Sequence, residues 1–123
     1  LCISRGIWGG PTILLAPALA RVLEKFGETP PHLCYESVID SLKNKRSGGG
    51  CGKVLIVHGT EDKTIPIDDS LRMASSGIES MECLKVHAGD HSLNRHLILE
   101  EKFAEHIEKV WGKSILNSKA KNG

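Results

Sequence analysis

Aromatic residues are scarce in this chain: two Trp, two Phe and one Tyr make up 4% of its 123 residues. That excludes the rows of aromatic platforms on which single-stranded nucleic acids stack. A charge excess is missing too. Sixteen Lys and Arg stand against 15 Asp and Glu, a formal net charge of +1, so nothing draws the chain electrostatically to nucleic acid or to an anionic membrane. No apolar run approaches the roughly 20 residues of a membrane span. The opening LCISRGIW shows no basic region followed by a hydrophobic stretch and cleavage site. The four cysteines, Cys2, Cys34, Cys51 and Cys83, form no C-x-x-C pair, so neither a zinc site nor a redox motif is expected. Free thiols in a cytoplasmic or similarly reducing compartment are the expectation. With 40% hydrophobic residues, one globular unit is expected.

What the chain does contain is organised around Lys53 to Pro66, KVLIVHGTEDKTIP. Val54 to Val57 has the length and β-branched enrichment of a fully buried strand, and it runs into a His-Gly pair and a polar loop carrying Asp62. Pro66 then introduces a helix opening with Asp68 and Asp69, acids suited to the positive end of its dipole. About thirty residues later Cys83 to His87 reads as a second strand, leading into AGDHSLN, a loop that displays His91. Open parallel sheets collect their sites at the carboxyl ends of the strands. If these two strands are parallel neighbours, Asp62 and His91 emerge together.

From the start of the chain, Leu1 to Ser4 reads as the last turn of a helix closed by Gly6, with a turn through Gly9, Gly10 and Pro11. Thr12 to Ala16 is a continuous apolar run ended by Pro17, a third buried strand, and Leu19, Val22, Leu23 and Phe26 follow at helical spacing. Pro30 and Pro31 break that pattern. Tyr35, Val38, Ile39 and Leu42 then fall at i, i+3, i+4 and i+7, one helical face, with a solvated cationic end at Lys43 to Arg46, and SGGGCG connects it to Lys53. Ile67, Leu71 and Ala74 mark the inner face of a helix ending near Gly77. Leu99, Phe103, Ile107, Val110 and Trp111 form a last stripe closed by Gly112. Residues 113–123 have too little apolar content to pack and are expected to be a flexible tail, leaving 1–112 as the domain. Trp8 and Trp111 are expected to be packing residues.

Strands alternating with helices predict an α/β fold: three layers, a parallel sheet of about three strands, and helices on its faces. The strand Thr12 to Ala16 is apolar on both sides, so as an edge it invites a neighbour, either upstream sequence or another molecule. Opening on Leu with core character, the chain is expected to be part of a longer polypeptide.

H-G-T-E-D-K-T-I-P followed by G-D-H resembles the acid and histidine loops of the α/β-hydrolase superfamily. The resemblance covers essentially the whole chain but only the last three strands of that fold. It implies Asp62 as the triad acid and His91 as the triad base, a small acyl substrate (ester, thioester or amide), and no cofactor. An isolated Asp or His in such loops more often caps a turn or is simply solvated; the paired contexts, acid then base after successive strands, favour the triad.

The nucleophile is not in this chain. No G-x-S-x-G or close variant occurs, so there is no strained turn to expose a hydroxyl beside an oxyanion hole. Ser4 has no strand before it, Ser92 lacks elbow glycines, and Cys51 precedes a strand instead of following one. Other constellations are weaker. SGGGCGKV departs from G-x-x-x-x-G-K-[ST] at Ser47 and Val54, and Lys53 opens a strand where a phosphate loop needs a helix. His87, Asp90, His91 and His96 lack a helix to align them on a metal, so no metal site is expected; His87 and His96 are expected to be solvated or hydrogen-bonded, and His58 packed and hydrogen-bonded. Leu33, Tyr35 and Val38, within Leu19 to Gly52, are candidates for an acyl pocket, with core packing the simpler role. The expected function is the C-terminal part of a serine hydrolase, inactive alone. The alternative is a non-catalytic α/β module that binds a protein partner, or a second copy, along Thr12 to Ala16.

Overall fold

The computed structural model describes residues 8–25, 34–46 and 52–112. In chain order the elements are β1 (Thr12–Leu15), α1 (Leu19–Lys25), α2 (Tyr35–Arg46), β2 (Val54–Gly59), α3 (Ile67–Ala74), β3 (Met81–Val86), a five-residue π-helical segment (Arg95–Leu99) and α4 (Phe103–Trp111). The three strands form one parallel sheet in the order β1-β2-β3. β2 is central, and all six of its residues are buried, which is why its sequence shows no polar alternation.

Alternation along β2 sorts the core into two layers. Ile56 faces Val38, Ile39 and Leu42 of α2, Met73 of α3 and Ile78, with Leu14, Leu19 and Leu23 packed around them. Leu55 and Val57 face the other way, against Val86, Leu93 and Val110 of α4. Helices therefore cover both faces, and each fully buried Val, Leu or Ile contributes about 1.5–3 kcal/mol. Val38 belongs to the core and Tyr35 packs against it under the Arg72 guanidinium, 3.9 Å from the ring centroid, so both hold α2 and α3 together rather than line a pocket.

Several boundaries and faces differ from the sequence expectation. The first strand stops at Leu15, because Ala16 turns into the left-handed region at φ 44°. The third strand begins two residues earlier than expected, at Met81, and ends at Val86. In α3 the buried residues are Ser70 and Met73, not Ile67, Leu71 and Ala74. The last apolar stripe is interrupted: Glu100 N–H reaches back to the Arg95 carbonyl at 2.9 Å, a five-residue step, and Glu101 adopts φ 55°. That break resets the helical phase before α4, leaving Leu99 76% exposed and Phe103 and Trp111 close to half exposed. Trp8 is likewise half exposed, and neither Trp is a core residue. Cys34 and Cys83 are free thiols. Residues 1–7, 26–33, 47–51 and 113–123, with the expected upstream helix turn, Phe26, Leu33, Cys51 and the tail, lie outside the described residues. Among the described residues no helix is long and apolar enough to cross a membrane.

Candidate active site

β2 and β3 run side by side, with His58 opposite Lys85 and Gly59 opposite Val86, so the loops after both strands leave the sheet at the same edge. The loops are stitched together. Thr60 N–H donates to the Val86 carbonyl (3.0 Å), Glu61 N–H to the Gly89 carbonyl (2.9 Å) and Ala88 N–H to Thr60 Oγ1 (2.9 Å). A methyl group at Gly59 would run into the Gly89 backbone, so the approach needs glycine there. Ala88 (φ 57°) and Leu93 (φ 55°) bracket the second loop in left-handed conformations that disfavour side chains. Leu93 is held there by its own burial, 2% exposed, and by its N–H bond to Asp90 Oδ1 at 3.0 Å.

The result is a bond between residues 29 apart: His91 Nδ1–H donates to Asp62 Oδ2 at 2.8 Å. The Asp62 side chain is fully buried, and its other oxygen accepts Thr64 N–H at 2.9 Å and Ile65 N–H at 2.8 Å. Burial pushes the carboxyl upward, but the bonds from Ile65, His91 and Thr64, with the His91 charge, outweigh it and hold Asp62 below its usual range. His91 is about half exposed (47% of its side chain), and among the described residues Asp62 is its hydrogen-bond partner, with no bond made by Nε2. A buried carboxylate thus fixes one imidazole tautomer and leaves the other nitrogen able to accept a proton, the arrangement of a general base.

The other singled-out residues are dispersed. Ser92 Oγ donates to Asp90 Oδ1 at 3.0 Å and is not bonded to His91. His87 is exposed. His96 Nε2 meets His106 Nε2 at 2.8 Å, with ring centroids 5.0 Å apart and planes 25° off parallel, so the nitrogen-bearing edges point at each other and one N–H is shared. Burial first, and the nearby His96, push the His106 pKa down. Among the described residues no three His, Cys, Asp or Glu side chains converge as a metal site would require. Cys83 lies on β3, where burial pushes its thiol up and away from thiolate reactivity. A cavity of about 560 Å³ opens between the end of β3 and the π-helical segment, lined among others by Val86, Asp90, Leu93 and His96; neither Asp62 nor His91 lines it.

Two buried polar residues were not singled out from the sequence: Ser70, which reaches the site through His58, and His106, which packs against His96. Each sits three residues after an apolar stripe residue, Ile67 or Phe103, and a polar residue in that slot was the available signal.

By fold, the described residues form an α/β protein with an open parallel sheet, and by site they carry an acid-histidine pair at its carboxyl edge. No family model matches the chain, and no curated protein matches it. Among solved structures it is similar to Est1E from Butyrivibrio proteoclasticus, at 24% identity and a TM-score of 0.41, over 57% of this chain and 28% of that one.

Proposed function

We propose that this chain is the C-terminal part of a serine hydrolase of the α/β-hydrolase type, acting on an ester, thioester or amide. Asp62 is the triad acid, His91 the base, and the nucleophilic serine and its oxyanion hole come from sequence outside these residues. The observation that carries the reading is the 2.8 Å bond from His91 Nδ1 to a carboxylate that is buried and held by two backbone amides. In the reaction His91 Nε2 takes the proton of the serine hydroxyl as it attacks the acyl carbon, then returns it to the leaving group. Asp62 holds the ring and stabilises the imidazolium formed in between. Free thiols at Cys34 and Cys83 support a reducing compartment, the cytoplasm by default. Residues 1–112 form the hydrolase part and 113–123 a tail.

The test is intact mass before and after a fluorophosphonate probe, on this chain and on the chain joined to its upstream coding sequence. The reading requires no adduct on the short chain and one on the long chain. A stoichiometric adduct on the short chain would place the nucleophile among the serines set aside above.

A second reading is favoured by the edge of β1, which among the described residues pairs with β2 alone and presents a half-exposed Leu15, with a half-exposed Trp8 bonded to Thr12 at its start. There the module is non-catalytic and binds a protein partner or a second copy along Thr12 to Ala16. A strictly monomeric, stably folded species in sedimentation counts against self-association.

A further inference from the structure

His58 lies at the fifth position of β2 with no exposed surface, one strand residue before the glycine that lets the two loops meet. Its Nδ1 lies 2.6 Å from Ser70 Oγ, and its Nε2 lies 2.8 Å from the Ile65 carbonyl and 3.2 Å from Asp62 Oδ2. One end of the ring sets the tautomer and the other accommodates it. At Nε2 the two neighbours are acceptors, so that nitrogen carries the proton. At Nδ1 the neighbour is a hydroxyl, itself fully buried, for which His58 is the hydrogen-bond partner among the described residues. Such a hydroxyl donates where an acceptor stands, which leaves Nδ1 as a bare lone pair.

From these contacts we propose that His58, supported by Ser70 as the Nε2–H tautomer, is a positioning residue for the Asp62–His91 pair; this rests on reading those two as acid and base. The Ile65 backbone is held on both sides: its carbonyl accepts from His58 Nε2–H, and its N–H donates to Asp62 Oδ1 at 2.8 Å. The grip passes from β2 and α3, the rigid part of the fold, to the orientation of the carboxylate. Oδ1 is thereby fixed, and Oδ2, which lies 3.2 Å from His58 Nε2, meets His91 Nδ1 at 2.8 Å. Ser70 acts one step further back: its hydroxyl donates to Nδ1 and so supports the tautomer that the two acceptors at Nε2 set. Neither residue touches substrate, and both act through Asp62.

The test is long-range proton–nitrogen correlation of the imidazoles in the full chain labelled with nitrogen-15. In the wild type His58 is expected as a single Nε2–H tautomer and His91 as the Nδ1–H tautomer. His58 found mainly as Nδ1–H overturns the proposal without any variant. In Ser70→Ala and His58→Leu the His91 Nδ1 proton is expected to exchange with water about tenfold faster, the factor associated with loss of one hydrogen bond, whereas Ser70→Thr retains the wild-type rate. Wild-type exchange in both disruptive variants, each shown folded by its backbone amide spectrum, also overturns it. A failed triad reading gives a different pattern: His91→Ala leaves the activity of the longer protein intact, while the spectra still report the hold of His58 on Asp62.

Discussion

Gly59 and Gly89 pass so closely that a β-carbon on Gly89 would stand 3.1 Å from the Gly59 Cα, and one on Gly59 would overlap the Gly89 carbonyl. This backbone contact sets the distance between the two loops, and therefore between Asp62 and His91.

Gly59→Ala is expected to destabilise the protein by about 1–3 kcal/mol, the usual cost of forcing a methyl into a packed site. It should also break the Asp62–His91 bond. Urea denaturation gives the first effect, and disappearance of the protected His91 Nδ1 proton gives the second. A fold of unchanged stability with that proton retained would show that the loops can separate at little cost.

Asp62→Asn, in the chain joined to its upstream sequence, is expected to lower kcat by about 10⁴-fold, because an amide no longer favours the imidazole tautomer that leaves Nε2 free to accept a proton. Activity toward short acyl esters is the readout. Parental activity in this variant or in His91→Ala would remove both residues from the reaction.

Acid is expected to weaken the fold in two stages. His106 is shifted below its ordinary 6.5, so the unfolded chain binds the proton first, and stability falls as pH drops from 6.5 toward the folded value. Asp62 is shifted below its ordinary 3.8, so its contribution is complete above 3.8 and is lost as pH falls further through the folded value. The urea midpoint should therefore decline as pH drops below 6.5, and His106→Gln should flatten that first decline. An equally steep decline in the variant would assign the first stage to another group.

Ser80→Gly is expected to raise stability by about 1 kcal/mol. Ser80 is exposed and sits at φ 61° on the turn into β3, where a side chain is disfavoured and glycine is not. Its carbonyl, which accepts Val54 N–H at 2.8 Å, is unaffected by the change. Thermal unfolding checks the sign; a lowered midpoint would show that the serine side chain contributes a contact worth more than the strain.

By itself the sequence determined the strand-loop-helix order, the buried central strand at Val54 to Val57, and the placement of Asp62 and His91 just beyond two strands. Those features are local: an apolar run, a glycine and a proline act on their immediate neighbours, so they are legible in order along the chain. Only the tertiary structure decided that the two loops touch, because the 29-residue gap between Asp62 and His91 closes through sheet register and the glycine contact, not through any spacing rule. It also decided which face of α3 is inner and where the last stripe breaks. Ser70 and His106 occupy slots a periodic pattern would give to apolar side chains, and each is buried because a histidine on another element, His58 or His96, satisfies it there. Burying a polar group without such a partner costs free energy, and the partner lies beyond the reach of local pattern.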